Sequence, residues 1–256
     1  MIVALHSAPK DFFRTNGPHA NNELAKLVRK VASLGFKAVQ IGPLQIYLPI
    51  EGEQLRRVLD SLNMERNVHV GGIFDAEKLA MTEDEYVRMR NQIHYGTTLC
   101  KKVSSTLLSI HPPFFVTKSV ASEILLKART HFLELVMEEV DFASRNNIKM
   151  ALESFCYNPF IFGGVHDFAR FVSEFPEEKL GVLLDVGHLY QMGINLPEAV
   201  HLLRHRLLDV HIHDATLGGD VREATHLPIG KGTINFPDFI GVLRDAGYNG
   251  WLTLEI

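Results

Sequence analysis

The chain has 256 residues, of which 46% are hydrophobic and 22% are charged, and its formal net charge is −4. This is the composition of a globular chain with ample material for a core, and it excludes a disordered or low-complexity protein. The absence of a basic excess argues against a nucleic-acid partner. No start resembling a signal peptide and no membrane-spanning apolar run is present, and the only cysteines are Cys100 and Cys156. We therefore expect a cytoplasmic protein without a membrane partner.

Short apolar runs rich in Val, Ile and Leu alternate along the chain with longer segments of helical period. The predicted strands are Ile2–Leu5, Ala38–Ile41, Val68–Gly71, Ser105–Ile110, Lys149–Glu153, Leu180–Asp185, Leu208–His213 and Trp251–Glu255. The predicted helices are Asn21–Leu34, Gln54–Leu62, Glu83–Lys102, Ser119–Asn146, Asp167–Phe175, Pro197–Arg204 and Pro237–Ala246. Eight strands with helical crossovers favour a closed (β/α)8 TIM barrel over a doubly wound open sheet. No linker divides the chain, so we expect a single domain over residues 1–256.

The eighth predicted strand is followed only by Ile256, so the helix that usually closes such a barrel is absent from this sequence. We expect this absence to expose an apolar seam between the first and seventh helices. Either a second copy of the chain or the segment around Asp11–Asn22 would cover the seam, and the first alternative predicts a homo-oligomer.

Each of the last four predicted strands carries a metal-binding side chain at or near its C-terminal end. These side chains are Glu153, Asp185, His211 and Glu255. In a barrel, the C-terminal ends of the strands converge on one mouth, where active sites lie. Buried carboxylates that repel one another need a compensating cation, and this ligand set suits Mn²⁺, Mg²⁺, Co²⁺ or Zn²⁺. The alternative is that they are ordinary polar residues facing loops, which explains one such residue more easily than four.

Three stretches resemble the xylose isomerase-like TIM-barrel superfamily. They are Leu184–His188, His211–Asp214 and His226–Phe236. That superfamily includes sugar isomerases and epimerases, inosose-processing enzymes and endonuclease IV-type DNA repair enzymes. The resemblance implies a metal held by the four strand-end residues. It also implies that Glu153 and Glu255 exchange protons with the substrate, because they match the two metal-bound glutamates of the epimerase branch.

These residues favour a metal-dependent isomerase or epimerase that acts on a small sugar or polyol-derived ketone. A divalent metal can stabilise an enediolate as a carbon-bound proton leaves, and a glutamate can take that proton. Dehydration of an inosose-like compound would use the same enolate, so the sequence does not separate the two reactions.

Five further residues are candidates for contact with the substrate. They are His111, His188, His213, Arg222 and His226. For His188 and Arg222 the alternative is an ordinary loop residue, and His213 is placed on the side of His211 by strand alternation. His6 ends the first strand and could line the pocket. In the Gly-punctuated loop 226–232, backbone N–H groups could hold an anion.

A phosphodiesterase of the endonuclease IV type is the second class that we consider. Its further metals would take ligands from His69, His111, His188 and His226. A buried structural histidine is the preferred interpretation of His69. The aspartate that the family places two residues before the last of these histidines is Ala224 here, which weakens a third metal site. A second metal ion is a further possibility. A third class is a barrel that binds a ligand or partner without catalysing a reaction.

Overall fold

The computed structural model describes residues 1–7, 18–42, 51–71, 74–115, 120–154, 161–218 and 221–255. Eight parallel strands close into a barrel in chain order, and the first strand pairs with both the second and the eighth. The strands are β1 (Ile2–Ser7), β2 (Ala38–Ile41), β3 (Glu65–Val70), β4 (Leu107–Ile110), β5 (Lys149–Glu153), β6 (Leu180–Asp185), β7 (Leu207–Ile212) and β8 (Trp251–Leu254). The predicted (β/α)8 barrel is thereby confirmed.

The helices surround this barrel. They are α1 (Pro18–Ser33), α2 (Gly52–Ser61), α3 (Ala76–Met81), α4 (Glu83–Val103), α5 (Ser122–Arg145), α6 (Val165–Ser173), α7 (Val186–Gln191), α8 (Leu196–Leu203), α9 (Val221–Ala224) and α10 (Phe236–Asp245). None of the helices in these described ranges is long and apolar enough to cross a membrane.

The inward-facing side chains of the barrel change from apolar to polar towards its mouth. Side chains two residues apart on a strand share a face, so Ala151 and Leu183 lie below Glu153 and Asp185 on the inner surface. Ala151 and Leu183 pack in a small apolar cluster with Leu107, and Trp251 packs against that cluster. The barrel is therefore closed below by apolar packing, and its polar groups are concentrated at the C-terminal ends of the strands.

The start of β1 exposes apolar side chains. Val3 is 51% exposed, Met1 43% and Ile2 36%. The apolar seam expected between the first and seventh helices stays a prediction. Most of the segment around Asp11–Asn22, which was the intramolecular alternative for covering it, lies outside the described residues.

Candidate metal centre

The four predicted ligands all lie at the mouth of the barrel. Glu153 ends β5, Asp185 ends β6, His211 belongs to β7, and Glu255 follows β8 directly. Glu153, Asp185 and His211 are at most 1% exposed. Ligand atoms of Asp185, His211 and Glu255 lie within 4.8 Å of one another, and so do those of Glu153, Asp185 and His188. Asp185 belongs to both groups, so the structure brings the four residues into one cluster.

Imidazole nitrogens and carboxylate oxygens approach one another closely in this cluster. His211 Nδ1 lies 2.7 Å from Glu255 Oε2 and 3.8 Å from Asp185 Oδ2. Glu153 Oε2 lies 3.0 Å from Nε2 of His69 and 3.0 Å from Nε2 of His111. Neither His211 Nδ1 nor Glu153 Oε2 makes an aligned hydrogen bond within the described part of the chain. Buried imidazole and carboxylate groups that converge in this way fit a divalent cation, which would displace the proton of His211 Nδ1 and satisfy the groups together.

The histidines of the cluster differ in the direction in which their pKa is shifted. Burial alone would lower the pKa of His211, but the carboxylates of Glu255 and Glu153 outweigh burial and raise that pKa to about 10. Burial dominates at His69 and lowers its pKa to about 3, and it lowers the pKa of His188 to about 4. The last two imidazoles are therefore neutral at pH 7, as a metal ligand or hydrogen-bond acceptor must be.

The two glutamates stay ionised in this buried place. Burial would raise the pKa of each carboxyl, but neighbouring histidines hold both values well below the ordinary one. His111 and His69 act on Glu153, and His211 and His6 act on Glu255. Both side chains are thus carboxylates that can coordinate a cation or accept a proton.

His69 lies in the cluster, although the sequence favoured a buried structural role for it. Its side chain is fully buried, and its ring lies 4.7 Å from that of His111. Ligand atoms of His69, His111 and Glu153 lie within 4.8 Å of one another. A second group of possible metal ligands therefore shares Glu153 with the first.

Asp185 is held from one side by hydrogen bonds. Its Oδ1 accepts from the backbone N–H of His188 at 2.7 Å and faces His213 Nε2 at 3.0 Å. His213 Nδ1 accepts from the backbone N–H of His226 at 2.8 Å, so the ring proton lies on Nε2 and points to Asp185. Gly187 allows this arrangement, because a Cβ there would lie 2.0 Å from the His213 ring. Asp185 Oδ2 is the oxygen that faces His211.

The substrate candidates differ in how far they are exposed. His213 is fully buried and His188 is 2% exposed, whereas His226 is exposed and stacks on the His213 ring at 4.2 Å. His111 is partly buried beside Glu153. Arg222 belongs to α9, and its side chain lies outside the described part of the structure.

Backbone N–H groups of the glycine-rich loop and its flanks bind a carboxylate of the protein itself. Asp214 accepts hydrogen bonds from the backbone N–H groups of Gly230 at 2.8 Å, Ala215 at 2.9 Å and Ile234 at 3.1 Å. A Cβ on Gly232 would lie 2.3 Å from Asp214 Oδ1. The glycines let the loop wrap this carboxylate, which occupies backbone N–H groups that could otherwise have held an external anion.

A buried polar group below the candidate metal centre was not singled out in the sequence. Asp209, in β7, accepts from Gln40 Nε2 at 2.9 Å, from Asn67 Nδ2 at 3.0 Å and from Thr253 Oγ1 at 2.8 Å. Burial raises the pKa of Asp209. The available signal was the single polar residue Gln40 in the apolar stretch Ala38–Ile41, and the period of two that places Asp209 on the face of His211.

Comparison with known proteins relates the chain to one group of barrels. A family model described as xylose isomerase-like TIM barrel matches residues 28–256. An uncharacterized protein from Methanocaldococcus jannaschii is 28% identical over 160 residues, which cover 60% of this chain and 52% of that protein. The chain therefore matches about half the length of this relative. An inosose dehydratase from Clostridium botulinum is 21% identical over 258 residues, which cover 91% of this chain and 82% of the relative.

Solved structures with the same fold include two related to ketose epimerases. A D-tagatose 3-epimerase-like protein superposes with a TM-score of 0.80 and 21% identity, covering 100% of this chain and 91% of the other. The D-allulose 3-epimerase from Methylomonas sp., solved with D-allulose, gives a TM-score of 0.80 and 16% identity, with 100% and 83% coverage. At these identities, the superpositions establish the shared fold.

Proposed function

Because the chain belongs to the xylose isomerase-like TIM-barrel family, we propose that it is a divalent-metal-dependent isomerase or epimerase of a small sugar or related polyol ketone. The observation that carries the proposal is the cluster of buried ligand atoms from Glu153, Asp185, His211 and Glu255 at the barrel mouth. We assign these four residues to one Mn²⁺, Mg²⁺, Co²⁺ or Zn²⁺ ion. The D-allulose 3-epimerase with the same fold supports a ketose as the substrate class.

Glu153 and Glu255 are the acid and base groups of this proposal. A bound divalent ion would act as a Lewis acid towards the carbonyl of the substrate. One carboxylate would remove the proton from the carbon next to that carbonyl and leave an enediolate. The other glutamate, which is ionised at rest, would first take up a proton from solvent and would then deliver it to the opposite face. Because β5 and β8 are not neighbours in the barrel, the two glutamates are suited to flank a substrate between them.

The remaining residues of the mouth are assigned to support and recognition. We assign His188, His226 and Arg222 to the hydroxyl groups of the substrate, together with His111 if no second metal is bound. His213 is fully buried and hydrogen-bonded to Asp185, so we assign it to holding that carboxylate and not to direct contact with the sugar.

Exchange of substrate protons with solvent tests this proposal. With Mn²⁺ present, ketohexoses such as D-allulose and D-tagatose should take up deuterium from D₂O next to the carbonyl, as followed by NMR. Glu153→Gln and Glu255→Gln should each lower this exchange about 10²–10⁴-fold, which is the usual contribution of a general acid or base. Glu178→Gln, an exposed glutamate after α6, is the matched control and should exchange at the wild-type rate. Full exchange by Glu153→Gln would contradict the assignment.

Dehydration of an inosose-like substrate is the closest alternative within the same chemistry, and the similarity to an inosose dehydratase supports it. Both reactions begin with loss of a proton next to a carbonyl, so both predict deuterium exchange. Loss of water from an inosose, followed by absorbance of the enone product, distinguishes the dehydratase.

An endonuclease IV-type phosphodiesterase is favoured by one observation. The second group, formed by His69, His111 and Glu153, would hold another metal beside the first, and multi-metal sites are suited to phosphate chemistry. Against this function stand Ala224 in place of a third-site carboxylate and the net charge of −4. Cleavage of abasic-site DNA with Zn²⁺ or Mn²⁺ present would favour this class over the sugar enzyme.

A further inference from the structure

The amide of Gln40 is held in one orientation. Gln40 is fully buried, and its Nε2 donates to Asp209 Oδ2 over 2.9 Å. Asp209 also accepts from Asn67 and Thr253, at 3.0 and 2.8 Å, so three donors converge on one carboxyl group. The amide nitrogen of Gln40 therefore faces Asp209, and its carbonyl oxygen faces the opposite way. Turning the amide over would place its oxygen against the Asp209 oxygen, two buried acceptors with no proton between them.

The Gln40 oxygen faces two imidazole rings. Oε1 lies 2.9 Å from His211 Nε2 and 2.5 Å from His6 Nδ1. An amide oxygen can only accept, so each of these ring nitrogens must carry a proton. The other ring nitrogen, Nδ1 in His211 and Nε2 in His6, is the one that can bind a cation once it carries no proton. The first lies 2.7 Å from Glu255 Oε2, and the second lies 3.9 Å from Glu255 Oε1.

We propose that Gln40, held by Asp209, is a positioning residue that fixes which nitrogen of His211 and of His6 faces the mouth of the barrel. By this arrangement His6 joins the site as an electron-pair donor through Nε2. The His6 side chain is 5% exposed, and its Nε2 makes no hydrogen bond within the described residues. This inference rests on the proposed function only for the statement that the nitrogens face a metal site.

The ligand atoms of His6 also approach those of the neighbouring histidines. One nitrogen each of His6, His69 and His211 lies within 4.8 Å of the others. With the wrong nitrogen protonated, either His6 or His211 would direct an N–H group into this cluster and would oppose a cation there. The protonation pattern set by Gln40 is therefore a condition for binding any cation among these rings.

Imidazole protonation can be read directly by long-range ¹H–¹⁵N NMR on protein labelled at histidine. In metal-free wild-type protein we expect the His6 proton on Nδ1 and a proton on His211 Nε2. On loading with Zn²⁺, His211 should keep its Nε2 proton and bind the ion through Nδ1. Asp209→Asn removes the requirement for a donor at Gln40, and Gln40→Leu removes its oxygen. Both should give mixed protonation at His6 and weaken Zn²⁺ binding at least 10-fold in calorimetry.

Thr253→Val is the matched control. It removes one of the hydrogen bonds to Asp209 but leaves Gln40 facing that carboxylate, so the protonation pattern should be unchanged. The proposal is overturned if wild-type His6 carries its proton on Nε2, or if Thr253→Val alters the pattern as much as Asp209→Asn. If the Asp209 and Gln40 variants fail to fold, the position of the His6 proton in the wild-type spectrum still tests the proposal. A chain with the expected protonation that binds no Zn²⁺ would contradict the proposed function and leave this inference standing.

Discussion

Buried carboxyl groups respond to their surroundings in opposite ways at two places in this molecule. At the mouth, histidines lower the pKa of Glu153 in spite of its burial. In the interface of α4 and α5, Glu139 is 3% exposed, and burial raises its pKa to about 7, although Arg90 opposes this change. His94 Nδ1 approaches Glu139 Oε2 only to 3.6 Å. Glu139 is thus a candidate source of pH-dependent stability far from the site.

The sign of that dependence follows from the direction of the shift. The folded state binds the Glu139 proton more tightly than the unfolded state, whose pKa is near 4.5. This contribution to stability is present below pH 4.5 and is lost as the pH rises to about 7. Glu139→Gln should remove this pH-dependent loss of stability. At pH 8 it should raise the free energy of unfolding by on the order of 2–3 kcal/mol, as measured by urea unfolding at pH 5 and pH 8.

The control for this measurement is Glu134→Gln, because Glu134 is an exposed carboxyl on the same helix. Its stability difference between pH 5 and pH 8 should match that of the wild-type protein. An equal response of the two variants would exclude Glu139 as the source.

At the scale of residues, the sequence indicated the proposed metal ligands more clearly than the buried residues that contact them. Glu153, Asp185 and Glu255 stand out because carboxylates recur at the ends of successive apolar strands, whereas any one of them alone could be an ordinary residue facing a loop. Gln40 and His6 acquire their roles from contacts with His211, which is 171 residues from Gln40. No local pattern encodes a pairing over that distance, so these contacts required the closed barrel.

At the scale of elements, α7 connects the proposed metal ligands to the outer layer of helices. Asp185 is both the last residue of β6 and the N-cap of α7, and its side chain accepts from the backbone of His188. Gly187 then brings the first turn against the His213 ring. One short helix therefore fixes a proposed metal ligand and the imidazole that supports it.

Gly187→Ala should separate His213 from Asp185. The new Cβ would lie 2.0 Å from the ring, so the ring or the helix must shift, and overpacking of this kind costs about 1–3 kcal/mol. We expect at least 10-fold weaker binding of Mn²⁺, as commonly follows loss of a group that orients a ligand. Isothermal titration calorimetry with Mn²⁺ measures this change.

Gly241→Ala in α10 provides the comparison, because no atom lies within 4 Å of a Cβ at that position. It should stabilise the helix by about 0.5–1 kcal/mol and leave Mn²⁺ affinity unchanged. Unaltered affinity in Gly187→Ala would show that His213 does not control Asp185.

The strands and the long helices were predicted from period, whereas the short helices were missed. Strands β2, β5 and β6 have the predicted bounds, since apolar residues dominate each of them. The helices α3, α7 and α9 have six residues or fewer, too few to show a helical repeat. β3 begins at Glu65, earlier than predicted, because its first residues are polar and gave no apolar signal.

For the molecule as a whole, cation binding should appear as added stability. A ligand that binds only the folded state at 100 times its Kd stabilises it by about 2.7 kcal/mol. For a chain of this size, that corresponds to a rise in Tm of roughly 5–10 °C. Calorimetry with Mn²⁺ or Zn²⁺ should show this rise, and EDTA should reverse it. Asp185→Asn should abolish it, and an equal rise in that variant would place the cation elsewhere.

The exposed apolar start of β1 carries a prediction about assembly. Val3 is 51% exposed beside Met1 and Ile2, and we propose that a second copy of the chain covers this surface. Light scattering should then give twice the chain mass at micromolar concentration, and Val3→Lys should shift the protein towards the monomer. Met137→Lys, at an exposed apolar position on α5, should not. A monomeric wild-type protein would contradict this proposal.

The proposed ligands come from four consecutive strands, β5 to β8, and β8 hydrogen-bonds to β1. A bound cation would link the C-terminal ends of four of the eight strands. One of them is β8, which closes the barrel against β1. Separation of β8 from β7 would take Glu255 away from the ion, so a bound cation would oppose fraying of β8 from the rest of the barrel.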